Sequence, residues 1–123
     1  MPKDAVITDK VAVGPFSPAV RSGDFVYLSG QVAQDPATGR LIDGDVTRQT
    51  EQIFRNIGAV LHAAGKTFAD VIRVGVFLRD IGDFQAMNAV YARFFEAPYP
   101  ARTTVGVAAL PLGAVVEIDL VAR

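Results

Sequence analysis

Arg102 and Glu117 are the two residues of this 123-residue chain whose types and placement could do chemistry together. The planar arginine fork binds a carboxylate through two parallel hydrogen bonds. A glutamate can orient a water and exchange a proton with a reacting group. Period-two alternation puts both on the same face of adjacent strands. Spacing alone favours the blander reading, an internal salt bridge between them. Asp119 shares the face with Glu117 and reads as a solvated strand-end carboxylate. Other reactive types are scarce. With no cysteine, a disulfide scaffold, a thiol nucleophile and a cysteine-ligated metal are excluded. The lone His62 excludes sites that need two histidines from one chain, and it falls on the polar side of a helical pattern. Neither Val13-Gly14-Pro15-Phe16 nor Leu28-Ser29-Gly30-Gln31 has the spacing of a phosphate-binding loop, and no Gly-x-Ser-x-Gly elbow occurs. No metal and no cofactor is indicated, so chemistry here rests on binding, positioning and water.

The elements that must carry these residues follow from punctuation and periodicity. Ser22-Gly23-Asp24 is a hairpin signal between Ala19-Val20-Arg21 and the β-rich run Phe25 to Ser29. Asp35-Pro36-Ala37-Thr38-Gly39 reads as a turn. Asp45 caps a helix to about Ala64, with Gly65 as its stop. In it Val46, Thr50, Ile53, Phe54, Ile57, Val60, Leu61 and Ala64 share one face. Val71 to Leu78 is a strand. Asp83 caps a second helix with an apolar stripe of Phe84, Met87, Val90, Tyr91, Phe94 and Phe95, read as core, which Pro98 and Pro100 end. Strands near 102–109 and 115–122 close the chain around Leu110-Pro111-Leu112-Gly113. The order predicts an α+β fold, a sheet with two helices packed on one face, in a single domain over 1–123.

One set of strand positions is aliphatic and suits the helices: Val26, Leu28 and Val32; Val74, Val76 and Leu78; Val105 and Val107; Ile118 and Leu120. The other set is mixed: Tyr27, Ser29 and Gln31; Gly75 and Phe77; Arg102, Thr104 and Gly106; Val115, Glu117, Asp119 and Val121. Two helices cannot cover both faces, so the second packs against another copy of the chain in a symmetric oligomer with semi-polar clefts. Twelve basic against thirteen acidic residues give a net charge of −1, which supports neither a nucleic-acid nor an anionic-membrane surface. Half the residues are apolar and mean hydropathy is +0.29, so the chain folds. The N-terminal stretch is broken by Asp9 and Lys10 and carries no apolar signal core, and no run is long enough for a membrane span. A cytoplasmic protein is expected.

The motifs taken together resemble the reactive-intermediate deaminases, the RidA/YjgF family. Gly14-Pro15-Phe16-Ser17-Pro18-Ala19-Val20 is similar to its N-terminal signature, and Ser29-Gly30-Gln31 to the end of its early strand. Ala86-Met87-Asn88-Ala89-Val90-Tyr91 is similar to its second helix. Pro100-Ala101-Arg102-Thr103-Thr104-Val105, Leu110-Pro111 and Val116-Glu117-Ile118 are similar to its C-terminal block. The resemblance implies a chorismate-mutase-like homotrimeric barrel with helices outside and clefts between subunits. It implies hydrolysis of 2-imino acids such as 2-iminopropanoate and 2-iminobutanoate, or their enamines, to 2-keto acids and ammonia. Carried over by residue, Arg102 would clamp the substrate carboxylate and Glu117 would position and activate water. Ser29 and the Gly30 backbone would line the cleft, with Asn88 and Pro111 at ligand-contacting or pocket-shaping positions. Phe16 stands where many members have tyrosine, and Thr104 where many have cysteine.

Two other classes compete. A non-catalytic trimer could bind small carboxylate metabolites or a client protein, a reading that the missing hydroxyl at Phe16 keeps alive. RNA cleavage, attributed to some relatives, lacks the basic, aromatic-lined groove it needs.

Overall fold

The computed structural model describes residues 2–8 and 14–123; the Asp9–Lys10 break in the N-terminal stretch lies outside them. Six strands and two helices follow in the order β1 (Asp4–Ala5), β2 (Ala19–Ser22), β3 (Phe25–Gln31), α1 (Val46–Ala63), β4 (Val71–Leu78), α2 (Phe84–Phe94), β5 (Ala101–Gly106) and β6 (Val116–Ala122). The strands form one mixed sheet in the order β1-β2-β3-β6-β4-β5. Every pairing is antiparallel except β4 with β5, where α2 supplies the crossover a parallel pair requires.

The two-residue loop between β2 and β3 starts on Gly23 at φ +58, a conformation that costs a residue with a Cβ. The Asp45 carboxylate accepts from the Arg48 amide 3.1 Å away and so caps α1. Beyond α1, Gly65 takes φ +75, as its place after the last helical turn predicts. The second helix departs from expectation at both ends. Asp83 stands at the cap position without a side-chain capping bond, because a 3-10 turn, Ile81–Asp83, leads the backbone in and is capped instead by Asp80. The helix then closes at Phe94, ahead of the prolines.

The core lies between the helices and one sheet face. Val26, Leu28, Val74, Val76, Leu78, Ile118 and Leu120 are buried beneath Ile53, Phe54, Ile57 and Leu61 of α1 and Met87 and Val90 of α2. Each such side chain contributes roughly 1.5–3 kcal/mol by leaving water. Phe54 sits at the centre of an aromatic cluster with Phe68, Tyr91, Phe94 and Phe95, at ring separations of 5.0–6.1 Å. The Gln49 side chain is buried in α1; its amide donates to the Gly44 carbonyl, and its oxygen accepts from the Val115 amide at 3.1 Å. That bond fixes the chain two residues before Glu117.

Two departures from the predicted alternation matter for the site. The β3–β6 register slips between Leu28 and Gln31, so Ser29 and Gly30 stand opposite one residue of β6. The extra residue turns Gln31 to the helix side, opposite Ile118 and only 1% exposed, not to the second face. In β5 the phase is reversed throughout. Arg102, Thr104 and Gly106 pair with Val74, Val76 and Leu78 and face the helices, while Thr103 and Val105 pair with Gly75 and Phe77 on the second face. The edge strand has no clean alternation to decide between its faces, and the Arg102 guanidinium lies over rings of α2.

Candidate active site

Glu117 lies on the sheet face away from the helices, opposite Phe77. Its carboxylate rests over Gly30, where an added Cβ would come 2.1 Å from Oε2. Asp119, two residues on, rests the same way over its cross-strand partner Gly75, with 2.3 Å from that Cβ to Oδ1. Two side-chain-free floors thus let two carboxylates lie flat on one sheet. Burial raises the Glu117 pKa above its ordinary value, and the nearby Asp119 charge raises it further.

The loop carrying Phe16 reaches this same part of the sheet. Ser29 Oγ donates to the Ser17 carbonyl at 2.7 Å, and the Ser29 amide donates to the Pro18 carbonyl at 3.0 Å. Ser29 therefore ties the 14–18 loop to β3 beside Gly30. Phe16 stands 47% exposed on that loop, a large aromatic left facing outward. Pro111 opens the 3-10 turn Pro111–Gly113 that leads into β6, and Leu112 within it holds φ +59.

Arg102 belongs to a different place. Its guanidinium carbon lies 4.6 Å from the Tyr91 ring centroid and 5.5 Å from that of Phe84, both on α2. Thr104 lies two residues along β5 on the same side, and Asn88 lies between Phe84 and Tyr91 at helical spacing on α2. Among the described residues Arg102 joins no ion pair, so the salt bridge to Glu117 that spacing suggested is not formed.

The two residues are not on one face of adjacent strands. Strand β4 lies between β5 and β6, and Arg102 projects to the helix side while Glu117 projects to the other. Two strand spacings and three residues along the strand put their Cα atoms roughly 14 Å apart. The fold thus gathers the predicted residues into two groups: Phe16, Ser29, Gly30 and Glu117 in one, Asn88, Arg102 and Thr104 in the other. One chain cannot bring both groups to one small molecule.

Concavities open on the surface among the described residues. A groove of ≈ 470 Å³ runs over the second face between Tyr27, Arg73, Phe77, Val105 and Asp119. A cavity of ≈ 490 Å³ lies between α1 and the turn after β3, away from every predicted site residue. Among the described residues no group of three His, Asp or Glu could hold a metal ion. No described helix is long and apolar enough to cross a membrane.

The sequence matches the family model described as Endoribonuclease L-PSP over residues 7–123. The chain belongs to the RidA/YjgF family. It is 46% identical over 111 residues to a 2-iminobutanoate/2-iminopropanoate deaminase of Capra hircus, covering 90% of this chain and 81% of that protein. The crystal structure of RidA from an Antarctic Psychrobacter superposes with a TM-score of 0.93 at 44% identity, covering 98% of each chain. That of the E. coli YjgF gene product gives 0.90 at 35% identity, covering 97% of each. The architecture is therefore the chorismate-mutase-like fold of RidA/YjgF proteins. The sequence reading missed Tyr91 as a neighbour of Arg102, because an aromatic at helical spacing reads as core. It also missed the glycine floors, since Gly30 and Gly75 meet the carboxylates only through the sheet register.

Proposed function

We propose that this RidA/YjgF member is a deaminase that hydrolyses 2-imino acids, 2-iminopropanoate and 2-iminobutanoate among them, in clefts between the subunits of a homotrimer. Its cysteine-free composition fits a cytoplasmic setting. The observation that carries the proposal is the division of the candidate residues. An arginine that joins no ion pair among the described residues and a glutamate suited to a water sit on opposite faces of one sheet, so on this reading two copies meet to make one site. The uncovered second face is where a neighbouring copy would pack.

An imine carbon is already electrophilic, so orientation beside an activated water supplies most of what hydrolysis needs. Arg102 would hold the substrate carboxylate. The Glu117 carboxylate would take a proton from the water as its oxygen bonds to the imine carbon, and the electron pair of the carbon–nitrogen π bond would move to the nitrogen, which takes a proton from solvent. Glu117 would then give its proton to the amino nitrogen of the resulting carbinolamine, and the carbon–nitrogen bond breaks. Ammonia leaves, the hydroxyl releases its proton to solvent, and the carbon–oxygen double bond of the keto acid forms with the Glu117 carboxylate regenerated. A glutamate whose pKa is raised toward neutrality is better matched to both transfers.

Supplying 2-iminobutanoate from an excess of an amino-acid oxidase tests this directly. Wild type should accelerate keto-acid release over the uncatalysed control, and Glu117→Gln should lower that acceleration by roughly 10²-fold or more. Activity should fall toward acid as the carboxylate is protonated, with a midpoint above the ordinary glutamate value. The same substitution should raise Tm at neutral pH. A raised carboxyl pKa means stability that is full in acid and lost as pH rises through the raised value, a loss the neutral amide avoids. No acceleration by a folded trimer would leave the non-catalytic carboxylate-binding reading, to which the exposed Phe16, without a hydroxyl, lends support. RNA cleavage finds no support in a net charge of −1.

A further inference from the structure

Asp119 is the second acidic residue of β6 on the face that carries Glu117, and no step of the proposed reaction uses it. It is half-buried, as Glu117 is, and not a solvated strand-end residue. The two carboxylates lean apart, Glu117 over Gly30 of β3 and Asp119 over Gly75 of β4, the strands that flank β6 on its two sides. Each seat exists because the residue beneath it has no Cβ, which would stand 2.1 Å from one carboxylate and 2.3 Å from the other. The Phe77 ring leans over the same glycine as Asp119, 3.4 Å from that Cβ position, and Phe77 is also the cross-strand partner of Glu117. Ring surface there takes the place of part of the water that would screen one charge from the other.

No cation pairs with Asp119 within the chain. On β4 the cation of this face is Arg73, whose Nη2 donates to Thr103 Oγ1 at 3.1 Å and which joins no ion pair among the described residues. From β3 the titratable group on this face is Tyr27, opposite Val121, a phenol that stays neutral until well above pH 7. Thr103 and Val105 of β5 and the residues of the 14–18 loop do not titrate. Burial, and after it the Asp119 charge, make Glu117 harder to ionise.

We propose that Asp119 is a positioning residue for Glu117: its charge, fixed over Gly75, keeps the Glu117 carboxylate on the β3 side over Gly30 and makes it a stronger base toward water. The inference rests on the base role of Glu117 proposed above. Like charges on one strand face repel, and the glycine floors give each carboxylate a seat away from the other. A carboxylate that holds its proton more tightly takes one from water more readily, once the pH is high enough to leave it ionised. Asp119 thus costs activity in acid and adds rate near neutrality. Arg102 of a neighbouring copy, which the proposed cleft brings to the same substrate, is common to wild type and variant and cancels between them.

Asp119→Asn in the assembled protein keeps the shape and removes the charge. In the pH profile of 2-iminobutanoate hydrolysis, corrected for the uncatalysed rate, the acid limb of kcat/KM should move to lower pH. Activity at pH 5, as a fraction of the plateau, should rise roughly twofold or more, while plateau kcat falls a few-fold and KM stays near wild type. Asp119→Glu restores the charge and should return the limb. Added salt should move the wild-type limb toward that of the asparagine variant and move the variant's less. A second readout does not depend on turnover. Glu51, Glu96 and Glu117 are the only glutamates, so isotope labelling of glutamate side-chain carboxyls gives three signals by carbon NMR, with that of Glu117 assigned by its loss in Glu117→Gln. The Glu117 titration midpoint should fall in Asp119→Asn. An unmoved midpoint would overturn the inference while leaving the Glu117 mechanism standing. A midpoint that falls with no movement of the activity limb, or in a protein without turnover, would show that ionisation of Glu117 does not govern the reaction; the mechanism then fails and this inference with it.

Discussion

Replacing Arg102 with alanine should lower kcat/KM for 2-iminobutanoate by roughly 10²–10⁴-fold, with the fold and the oligomer intact. Each hydrogen bond from a guanidinium to a carboxylate is worth about 1.5–3 kcal/mol, and the fork makes two. The loss is isolated because Arg102 joins no ion pair among the described residues, so truncation leaves no buried carboxylate stranded. What it does remove from the folded chain is the cation over the Tyr91 and Phe84 rings, about 0.5–2 kcal/mol of packing and charge. Arg102→Lys separates the contributions. Lysine keeps the charge but not the planar fork, and should recover only part of the lost activity. The measurement is initial keto-acid release alongside the sedimentation profile of each variant. Turnover within a few-fold of wild type in the alanine variant would show that the carboxylate is held elsewhere.

The second large effect is expected from the smallest substitution. A methyl group at Gly30 would sit 2.1 Å from Glu117 Oε2, 3.0 Å from Cδ and 3.3 Å from Cγ. The glutamate end is flexible and can swing away, so Gly30→Ala should change stability by no more than about 1 kcal/mol. The carboxylate, however, cannot keep its position over β3. Turnover should fall by roughly 10²-fold, approaching the Glu117→Gln value, because general acid–base catalysis depends on that placement. Affinity for a non-reactive 2-keto acid should change far less if Arg102 provides the anchor. Gly75→Ala displaces Asp119 in the same manner and serves as the matched control. A Gly30→Ala enzyme with wild-type turnover would show that Glu117 does not work from this seat.

The limits of reading the sequence are local and physical. Both helices were legible from a clean 3.6-residue stripe, with Asp45 and Gly65 marking α1 as expected, while punctuation misread the cap and the far end of α2 and gave no sign of the short strand β1. The inner strand faces were legible too, because Val26, Leu28, Val74, Val76, Ile118 and Leu120 alternate cleanly. Three things were not. A bulge leaves no mark on composition, so the turn of Gln31 into the core could not be anticipated from Ser29-Gly30-Gln31. At the edge strand, alternation puts Ala101, Thr103 and Val105 on one face and Arg102, Thr104 and Gly106 on the other, and neither set is a continuous apolar stripe that marks the inner side. There Arg102 turns to the helix side with its guanidinium over the Tyr91 and Phe84 rings, and Val105 turns to the other. The adjacency of Arg102 and Glu117 failed for a topological reason. Strand order is set by the parallel crossover of β5 onto β4, and no property of either residue encodes it.

The opposite placement of those two residues changes what a single gene product can be said to possess. On the proposed reading each polypeptide owns an arginine that works for one neighbour and a glutamate that works for the other. A folded monomer would hold every reactive group and no active site, so dilution below the association limit should silence the enzyme without unfolding it. Inheritance follows the same geometry. Chains lacking Arg102 and chains lacking Glu117 are each inert as pure assemblies, yet co-assembled at random they should restore about one cleft in four.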